Sequence, residues 1–454
     1  MWSANQRRRS LGERLFRIAE TVERIESRPA ELTHGAKALL AYIGSLLRQV
    51  DSTVDDRWNE LAVIEPGLRE ELRRELCDDF RDVVGVLVSE VVPVLVGADA
   101  RRVPVELEPA LRQSVLSAAP DWKPVPVLYG SDYYEYSIVP LRKSELEVPV
   151  TGRPVPSSAA EGGDMESPPD FVFISVPGVE RDSVALHAVL LGHEAGHLRD
   201  WYLRLSEGFV LDVPPQLVDS DGKPGEGYGE YVKIATNWTE ECVADILSCL
   251  TIGPVALLAL PEVAGGAGEL AVDSDSHPGT DRRIELMLRV LHQQGFDVVS
   301  GLTEAFSGYK TLCGDAWKRI VQGPDLNQQI ASLVLAWIRT QLDELIRVCT
   351  SNVPASDLFT SDYWPLVESA ASMLGGGLPC GEIILAGRSR AAARPEVILN
   401  ASWLVKVQGL QALGQQLGVV LTEDSHISDV SRVSEVLDRL TLKSFEIAEF
   451  LRSA

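Results

Sequence analysis

The chain has 454 residues, of which 45% are hydrophobic and 24% charged, an ordinary globular composition with enough length for two or three domains. Its formal net charge of −24 at pH 7 repels phosphate backbones and anionic lipid head groups, which excludes nucleic acid and membrane surfaces as default partners. The six cysteines show no CxxC spacing, so we expect buried, reduced thiols rather than a secreted disulfide framework.

The N-terminal segment predicts an amphipathic helix rather than a signal peptide, because its basic start is not followed by an apolar stretch. The longest uncharged apolar segment, 246–261, contains Pro254 and is shorter than the roughly 18–20 residues needed to cross a bilayer. We therefore expect a soluble, cytoplasmic protein.

Residues 10–98 have the periodicity of amphipathic helices. Leu15, Ile18, Val22 and Ile25 recur at three- and four-residue spacing, which places them on one helical face. The pattern predicts a helical N-terminal domain over residues 1–118.

The character of the sequence changes from Pro124. Residues 125–141 are rich in β-branched and aromatic side chains around a Gly-Ser-Asp turn signal, which predicts a β-hairpin. The apolar run FVFISV at 171–176 predicts a strand, onto which an extended substrate could add. The loops at 151–170 and 207–230, rich in glycine and proline, could act as lids over a site.

A buried helix is predicted next, from Asp182 or Ser183 to about Ser206, because its residues are apolar nearly all round. The following region predicts a second helix from about Asn237, where Asn237 and Glu240 have the spacing of a capping box. The remainder of the chain, 301–454, is mainly helical in pattern.

The first of these helices carries the segment LGHEAGHLRDW, 191–201. On an α-helix His193 and His197 project from one face one turn apart, close enough for both imidazoles to bind one Zn²⁺. Glu194 then lies beside the metal, where it can take a proton from a water that the metal activates. His187 is interpreted either as a core histidine or as a residue that orients Glu194.

Zinc hydrolases commonly use three protein ligands, and the segment NWTEECVADIL offers a carboxylate as the third. Glu241 is predicted to be that ligand, and Asp245, one turn later, can accept a hydrogen bond from a ligating imidazole. The same carboxylate pair could instead form a solvated helix face. Glu226 and Glu230 are the alternative ligands.

A third motif follows, SHPGTDRRI at 276–284. The order H-E-x-x-H, E-x-x-x-D and this motif resembles the CAAX-prenyl-protease and HtpX-like family of gluzincin metallopeptidases, whose third motif reads H-P-P-x-x-x-R-I. The matching residues are His277, Pro278, Arg283 and Ile284. Gly279 departs from the pattern by replacing the second proline, and the resemblance covers about residues 170–295.

The resemblance implies a zincin-like core in which Glu241 is the third ligand and Asp245 supports the ligands. It also implies that His277 and Arg283 lie near the metal, where they support the site or stabilise an oxyanion. His277 could equally be a cap at the entry to the next helix. Many members of the family are membrane-embedded, and a prenylated or membrane substrate is not carried over to this chain.

We therefore predict an α+β, predominantly helical protein, with a zincin-like metallopeptidase core at 119–300 between helical regions at 1–118 and 301–454. The predicted activity is that of a zinc metalloendopeptidase with one zinc ion per chain, Glu194 as general base and a polypeptide as substrate. The helical flanks could bind a protein partner. The alternatives are a zinc-binding regulatory or interaction protein with a latent or vestigial site, and a zinc hydrolase of a non-peptide amide.

Overall fold

The computed structural model describes residues 3–28, 32–99, 101–133, 136–146, 168–178, 183, 187–209, 211, 213–267, 273–296, 302–313, 316–318, 327–384, 390–408, 410–422 and 425–453. The chain is predominantly helical with small sheets, as the sequence predicts. It divides into two compact units, the first formed by Met1–Glu108 and Asp121–Arg181, the second by Pro109–Pro120 and Asp182–Ala454. The three-domain division stays a prediction.

The described residues of the first unit form four α-helices and a three-stranded sheet. Its helices are α1 (Ala4–Glu26), α2 (His34–Glu60), α3 (Pro66–Val86) and α4 (Val92–Gly97), and its strands are β1 (Val125–Ser131), β2 (Ser137–Leu141) and β3 (Phe171–Pro177). Ser3 begins α1 as a capping box with Gln6, and the Thr33 hydroxyl caps α2. Helix α2 lies so close to β1 that a Cβ atom at Gly35 would overlap the carbonyl oxygen of Pro126.

The sheet has the order β1-β3-β2, so the predicted hairpin is wrong. Strand β3 lies between the two strands, parallel to β1 and antiparallel to β2. All seven residues of β3 are buried, because an apolar run of this kind is most stable with both faces covered and both edges hydrogen-bonded. Since both of its edges are occupied, β3 has no free edge for an extended substrate, and the proposed strand addition is also wrong.

The second unit is built from eleven described helices and one small sheet. The helices are α5 (Glu108–Ala118), α6 (Ala195–Leu203), α7 (Tyr228–Ile252), α8 (Pro254–Ala267), α9 (Thr280–Gln293), α10 (Thr303–Cys313), α11 (Gln328–Asn352), α12 (Trp364–Gly375), α13 (Pro395–Val407), α14 (Gln411–Gln416) and α15 (Ile427–Ser453), and the strands are β4 (Glu382–Ile384) and β5 (Arg390–Ala392), which pair antiparallel. Helix α7 is central, packing against α6, α9 and α11.

Helix α7 begins earlier than predicted. Its N-cap is Gly227 in the left-handed conformation, so Asn237 and Glu240 lie inside the helix and do not form a capping box. The reason is that Tyr231, Ile234 and Trp238 continue the buried helical stripe upstream of Asn237.

The predicted buried helix around the histidine motif is present but shorter. A π-helical turn, Leu190–Glu194, leads directly into α6, and the helix ends at Arg204 in the left-handed conformation. Ser183 is not helical, and Asp182 lies outside the described residues, as do 151–167 of the first predicted lid loop. The lid role of both loops stays a prediction.

Within the described ranges, none of the helices combines the length and apolar character that a bilayer span requires. All six cysteine side chains are buried, as expected from their spacing.

Candidate metal centre

The two motif histidines converge on one point. His193 lies in the π-helical turn and His197 in the first turn of α6, and their Nε2 atoms are 3.2 Å apart. The rings meet edge to face at a centroid distance of 4.7 Å. The His197 ring also stacks on Trp201, one helical turn later, with centroids 6.1 Å apart. The π-helical turn therefore places both imidazoles on one side of the helix.

The structure brings Glu241 to the same point from α7. Its Oε1 atom lies 3.3 Å from His197 Nε2, and its Oε2 atom lies 3.4 Å from His193 Nε2. Among the described residues, one group of three potential metal ligands has its ligand atoms all within 4.8 Å of one another: His193, His197 and Glu241. This buried group could hold a metal ion.

Close contact between α6 and α7 makes this convergence possible. A Cβ atom added to Gly196 would lie 2.8 Å from the carbonyl oxygen of Ala244 and 3.0 Å from its Cα atom. Only a glycine lets the two backbones approach so closely. Glycine at 196 therefore brings the histidine helix and the Glu241 helix within reach of one ion.

Asp245 and Arg283 contact two of the three candidate ligands, His193 and Glu241. Asp245 Oδ1 lies 3.0 Å from His193 Nδ1, and Arg283 donates to both carboxylate oxygens of Asp245 at 2.8 Å. Arg283 Nη2 is also 3.3 Å from Glu241 Oε2. A carboxylate on the far ring nitrogen orients an imidazole ligand and keeps its other nitrogen available.

Charges around the ligands shift their proton affinities. Burial by itself would lower the pKa of His193, but Glu241 and the hydrogen bonds to Asp245 and Glu241 raise it to about 10. Burial by itself would raise the pKa of Glu241. Arg283 and His193 lower it by more than burial raises it, so the pKa lies well below its usual range. The pKa of Asp245 is lowered in the same way, chiefly by Arg283 against the effect of burial.

Glu194, the predicted base, is a buried residue beside this group. Burial raises the pKa of its carboxyl, and the nearby His193 and His197 rings oppose part of that rise. A buried carboxylate with a raised pKa beside two imidazoles could accept a proton and return it.

His277 reaches the candidate ligand Glu241 from the loop before α9. Its Nε2 atom lies 3.4 Å from Glu241 Oε1, and its Nδ1 atom lies 2.8 Å from the Ser276 hydroxyl. About half of the side chain is exposed, and burial of the rest lowers its pKa. Gly279 is the N-cap of α9, so the capping interpretation of His277 is not the one that the structure shows.

Other sequence candidates lie elsewhere. Glu226 and Glu230 are exposed, and Asn327 contacts Glu230 at 3.4 Å. His187 is fully buried, as a core histidine would be. Glu240 points to different surroundings from Glu241, since burial and Asp200 raise its pKa to about 7.

Sequence reasoning missed a buried ion pair next to the site, between Asp273 and Arg282. The available signal was the pair of consecutive arginines in α9. Residues one apart on a helix face different directions, and here Arg283 faces Asp245 while Arg282 faces Asp273.

Two observations show that the residues fit a divalent cation. A tetrahedral zinc ion with bonds of about 2.0–2.1 Å separates two of its ligand atoms by about 3.3 Å. The two Nε2 atoms are 3.2 Å apart and Glu241 Oε1 lies 3.3 Å from His197 Nε2, while the other oxygen, Oε2, makes the 3.4 Å contact with His193 Nε2. Three buried carboxylates, Glu194, Glu241 and Asp245, lie at this group, and the raised pKa values of His193 and Glu194 favour bound protons that a divalent ion could replace. Glu241 Oε2 is buried, and its contacts with Arg283 Nη2 at 3.3 Å and His193 Nε2 at 3.4 Å do not have hydrogen-bond geometry.

Comparison of the chain with protein-family models, with curated proteins and with solved structures finds no match. The class of site is defined by its own residues: two imidazoles and a carboxylate that could hold a metal ion within a helical core.

Proposed function

We propose that this chain is a zinc-dependent metallopeptidase in which His193, His197 and Glu241 bind one zinc ion and Glu194 is the general base. The convergence of these three ligand atoms, with Glu194 buried beside them, is the observation that carries the proposal. The order of the three sequence motifs, which resembles that of gluzincin metallopeptidases, supports a zincin-like core around the site.

The ligand set favours a catalytic role over a structural one. Structural zinc sites are usually closed by four protein ligands, whereas catalytic sites keep a position open beside three. Among the described residues, three ligands gather here and no fourth His, Cys, Asp or Glu joins the group. A purely structural site would also have no use for the buried Glu194.

When bound, the zinc ion would act as a Lewis acid that polarises the scissile carbonyl and acidifies the attacking water. Glu194 takes a proton from that water while the oxygen of the water forms a bond to the carbonyl carbon. The same carboxyl then gives the proton to the nitrogen as the C–N bond breaks and the amine leaves. His277, half exposed beside Glu241, can donate a hydrogen bond from Nε2 to the oxygen that becomes negative.

Asp245 and Arg283 keep the ligands in place during the reaction. Asp245 accepts a hydrogen bond from His193 Nδ1, which would leave Nε2 to bind the metal once the ring gives up its second proton. Arg283 holds Asp245 through two hydrogen bonds and balances its charge. The proposed substrate is a polypeptide in the cytoplasm, and the helices outside 119–300 would recognise the substrate or a protein partner.

Metal analysis of purified protein together with Glu194→Gln tests the proposal. We expect about one zinc per chain in both proteins, since Glu194 is not a ligand. Cleavage of a denatured casein should fall by at least about a hundredfold in the variant, the lower range for loss of a general base. Equal cleavage by both proteins would exclude Glu194 as the base. Zinc binding without cleavage by the unmodified chain would favour the regulatory alternative with a latent site.

A further inference from the structure

The loop that carries His277, residues 273–279, is closed by a fully buried ion pair. Asp273 and Arg282 are each 1% exposed, and the guanidinium donates to Asp273 Oδ1 at 2.9 Å and to Oδ2 at 2.8 Å. The backbone N–H of Gly279 donates to the same Oδ1 at 2.8 Å. Asp273 therefore joins the two ends of the loop to each other and to α9.

Arg282 is itself anchored from a third direction. Its Nη1 donates to the carbonyl oxygen of Ala316, and its own carbonyl accepts a hydrogen bond of 3.1 Å from Trp317 Nε1. Trp317 is almost fully buried. The guanidinium thus has one available orientation, with a partner for each of its three nitrogens.

Inside the loop, hydrogen bonds place the His277 backbone. The Ser274 hydroxyl accepts from His277 N–H at 2.9 Å, and Ser274 N–H donates to the His277 carbonyl at 2.9 Å. Helix α7 holds the outer side of the loop, where Trp238 Nε1 donates to the Ser274 carbonyl and Asn237 donates to the Asp275 carbonyl. The same helix carries Glu241, so the loop and the candidate ligand share one support.

A buried ion pair is a poor means of gaining stability, because the desolvation of both charges offsets their attraction and an apolar pair is often as stable. It does define geometry, since two parallel hydrogen bonds fix the relative position of both side chains. The loop carries His277, whose Nε2 is 3.4 Å from Glu241 Oε1.

We propose that Asp273 and Arg282 are positioning residues that hold His277 at the metal centre, where His277 contacts the reacting carbonyl of the substrate. The inference rests on the proposed peptidase function. It also assigns different roles to the two consecutive arginines of α9. Arg283 orients Asp245, which contacts the candidate ligand His193, and Arg282 orients the loop that carries His277.

The test is a kinetic cycle with Asp273→Asn, His277→Gln and the double variant. All three should keep about one zinc per chain, because the ligands are untouched. We expect Asp273→Asn to lower kcat about 10–100-fold, with a smaller change in KM, as for other residues that orient a site. If Asp273 acts through His277, the double variant should be no slower than His277→Gln alone. Multiplying effects of the two single variants would overturn the inference.

A second readout is independent of cleavage. Modification of His277 by diethylpyrocarbonate, followed by peptide mass spectrometry, reports how firmly the ring is held. Asp273→Asn should raise that rate several-fold in full-length protein, and an unchanged rate would contradict the positioning role. If the unmodified chain cleaves no substrate while this rate rises, the peptidase proposal fails and the positioning of His277 stands.

Two further variants serve as a substitute for Asp273→Asn and as a negative control. Ser274→Ala removes a partly exposed contact to the His277 backbone and should reproduce the effect in milder form if Asp273→Asn does not fold. Lys233→Gln breaks the exposed 2.8 Å pair with Asp275 on the same loop and should leave kcat and modification unchanged, because surface ion pairs contribute little.

Discussion

At the scale of single residues, the site depends on which of two adjacent glutamates faces the imidazoles. Glu241 lies within 3.4 Å of both His193 and His197. Glu240, the preceding residue of α7, faces a different direction, and the charge with the largest effect on its pKa is that of Asp200. Adjacent helical positions differ by about 100° in direction, so one carboxylate can be a ligand while its neighbour is not.

Glu241→Ala should therefore lower zinc affinity by more than about a hundredfold, beyond the range of changes that only orient ligands. The measurement is a competition titration with a chromophoric chelator. Glu240→Ala is the matched control and should keep the affinity of the unmodified chain. Loss of zinc from the Glu240 variant, with retention in the Glu241 variant, would move the third ligand by one position.

At the scale of secondary-structure elements, the decisive feature is the contact between α6 and α7. The two histidines lie on or next to α6 and the carboxylate on α7, so the spacing of the helices sets the spacing of the ligands. Gly196 lies at the crossing, against backbone atoms of Ala244 that cannot move aside as a flexible side chain could.

Gly196→Ala should separate the helices and destabilise the fold by about 1–3 kcal/mol, the usual cost of overpacking. Zinc affinity should fall with it. Both effects are measurable, by thermal unfolding and by chelator competition.

Gly229→Ala, near the start of α7, is the control. No atom lies within 4 Å of a Cβ added there, so we expect a gain of about 0.5–1 kcal/mol from helix propensity. An unchanged melting temperature and zinc affinity for Gly196→Ala would show that α6 and α7 do not need this close contact.

At the scale of the whole molecule, the buried charged residues among those described all belong to one of the two compact units. All the candidate ligands, Arg283 and the loop 273–279 lie in the unit that contains Asp182–Ala454. If the proposed divalent ion is bound there, its removal would leave that unit with an excess of buried negative charge, which is costly in a low-dielectric interior.

Chelation should therefore destabilise the unit with the metal centre selectively. At free zinc a thousandfold above its Kd, binding stabilises the folded state by about 4 kcal/mol. Hydrogen exchange followed by mass spectrometry should show faster exchange in α7 after chelation and unchanged exchange in α2. Unchanged exchange in α7 would contradict a metal ion bound among its buried side chains.

Local sequence pattern predicts much of this site. The i, i+4 histidines, Glu194 between them, and the Glu241 and Asp245 pair all follow from helical spacing, and the structure brings these five residues together. His277 and Arg283 entered through a motif resemblance, and both lie next to Glu241. The Asp273–Arg282 pair was missed because an ion pair between a loop and a helix has no periodicity.

The sequence alone determined the predominantly helical class, the strand at 171–176 and the residue types that gather at the candidate metal centre, because these depend on residues close together in the chain. Tertiary structure alone decided that β3 separates β1 from β2, that α7 begins at Tyr228, and that Gly196 sets the distance between the ligand helices. Each of these outcomes depends on burial against distant segments. Competition between whole surfaces for burial and hydrogen bonds is a property of the folded chain that no local pattern records.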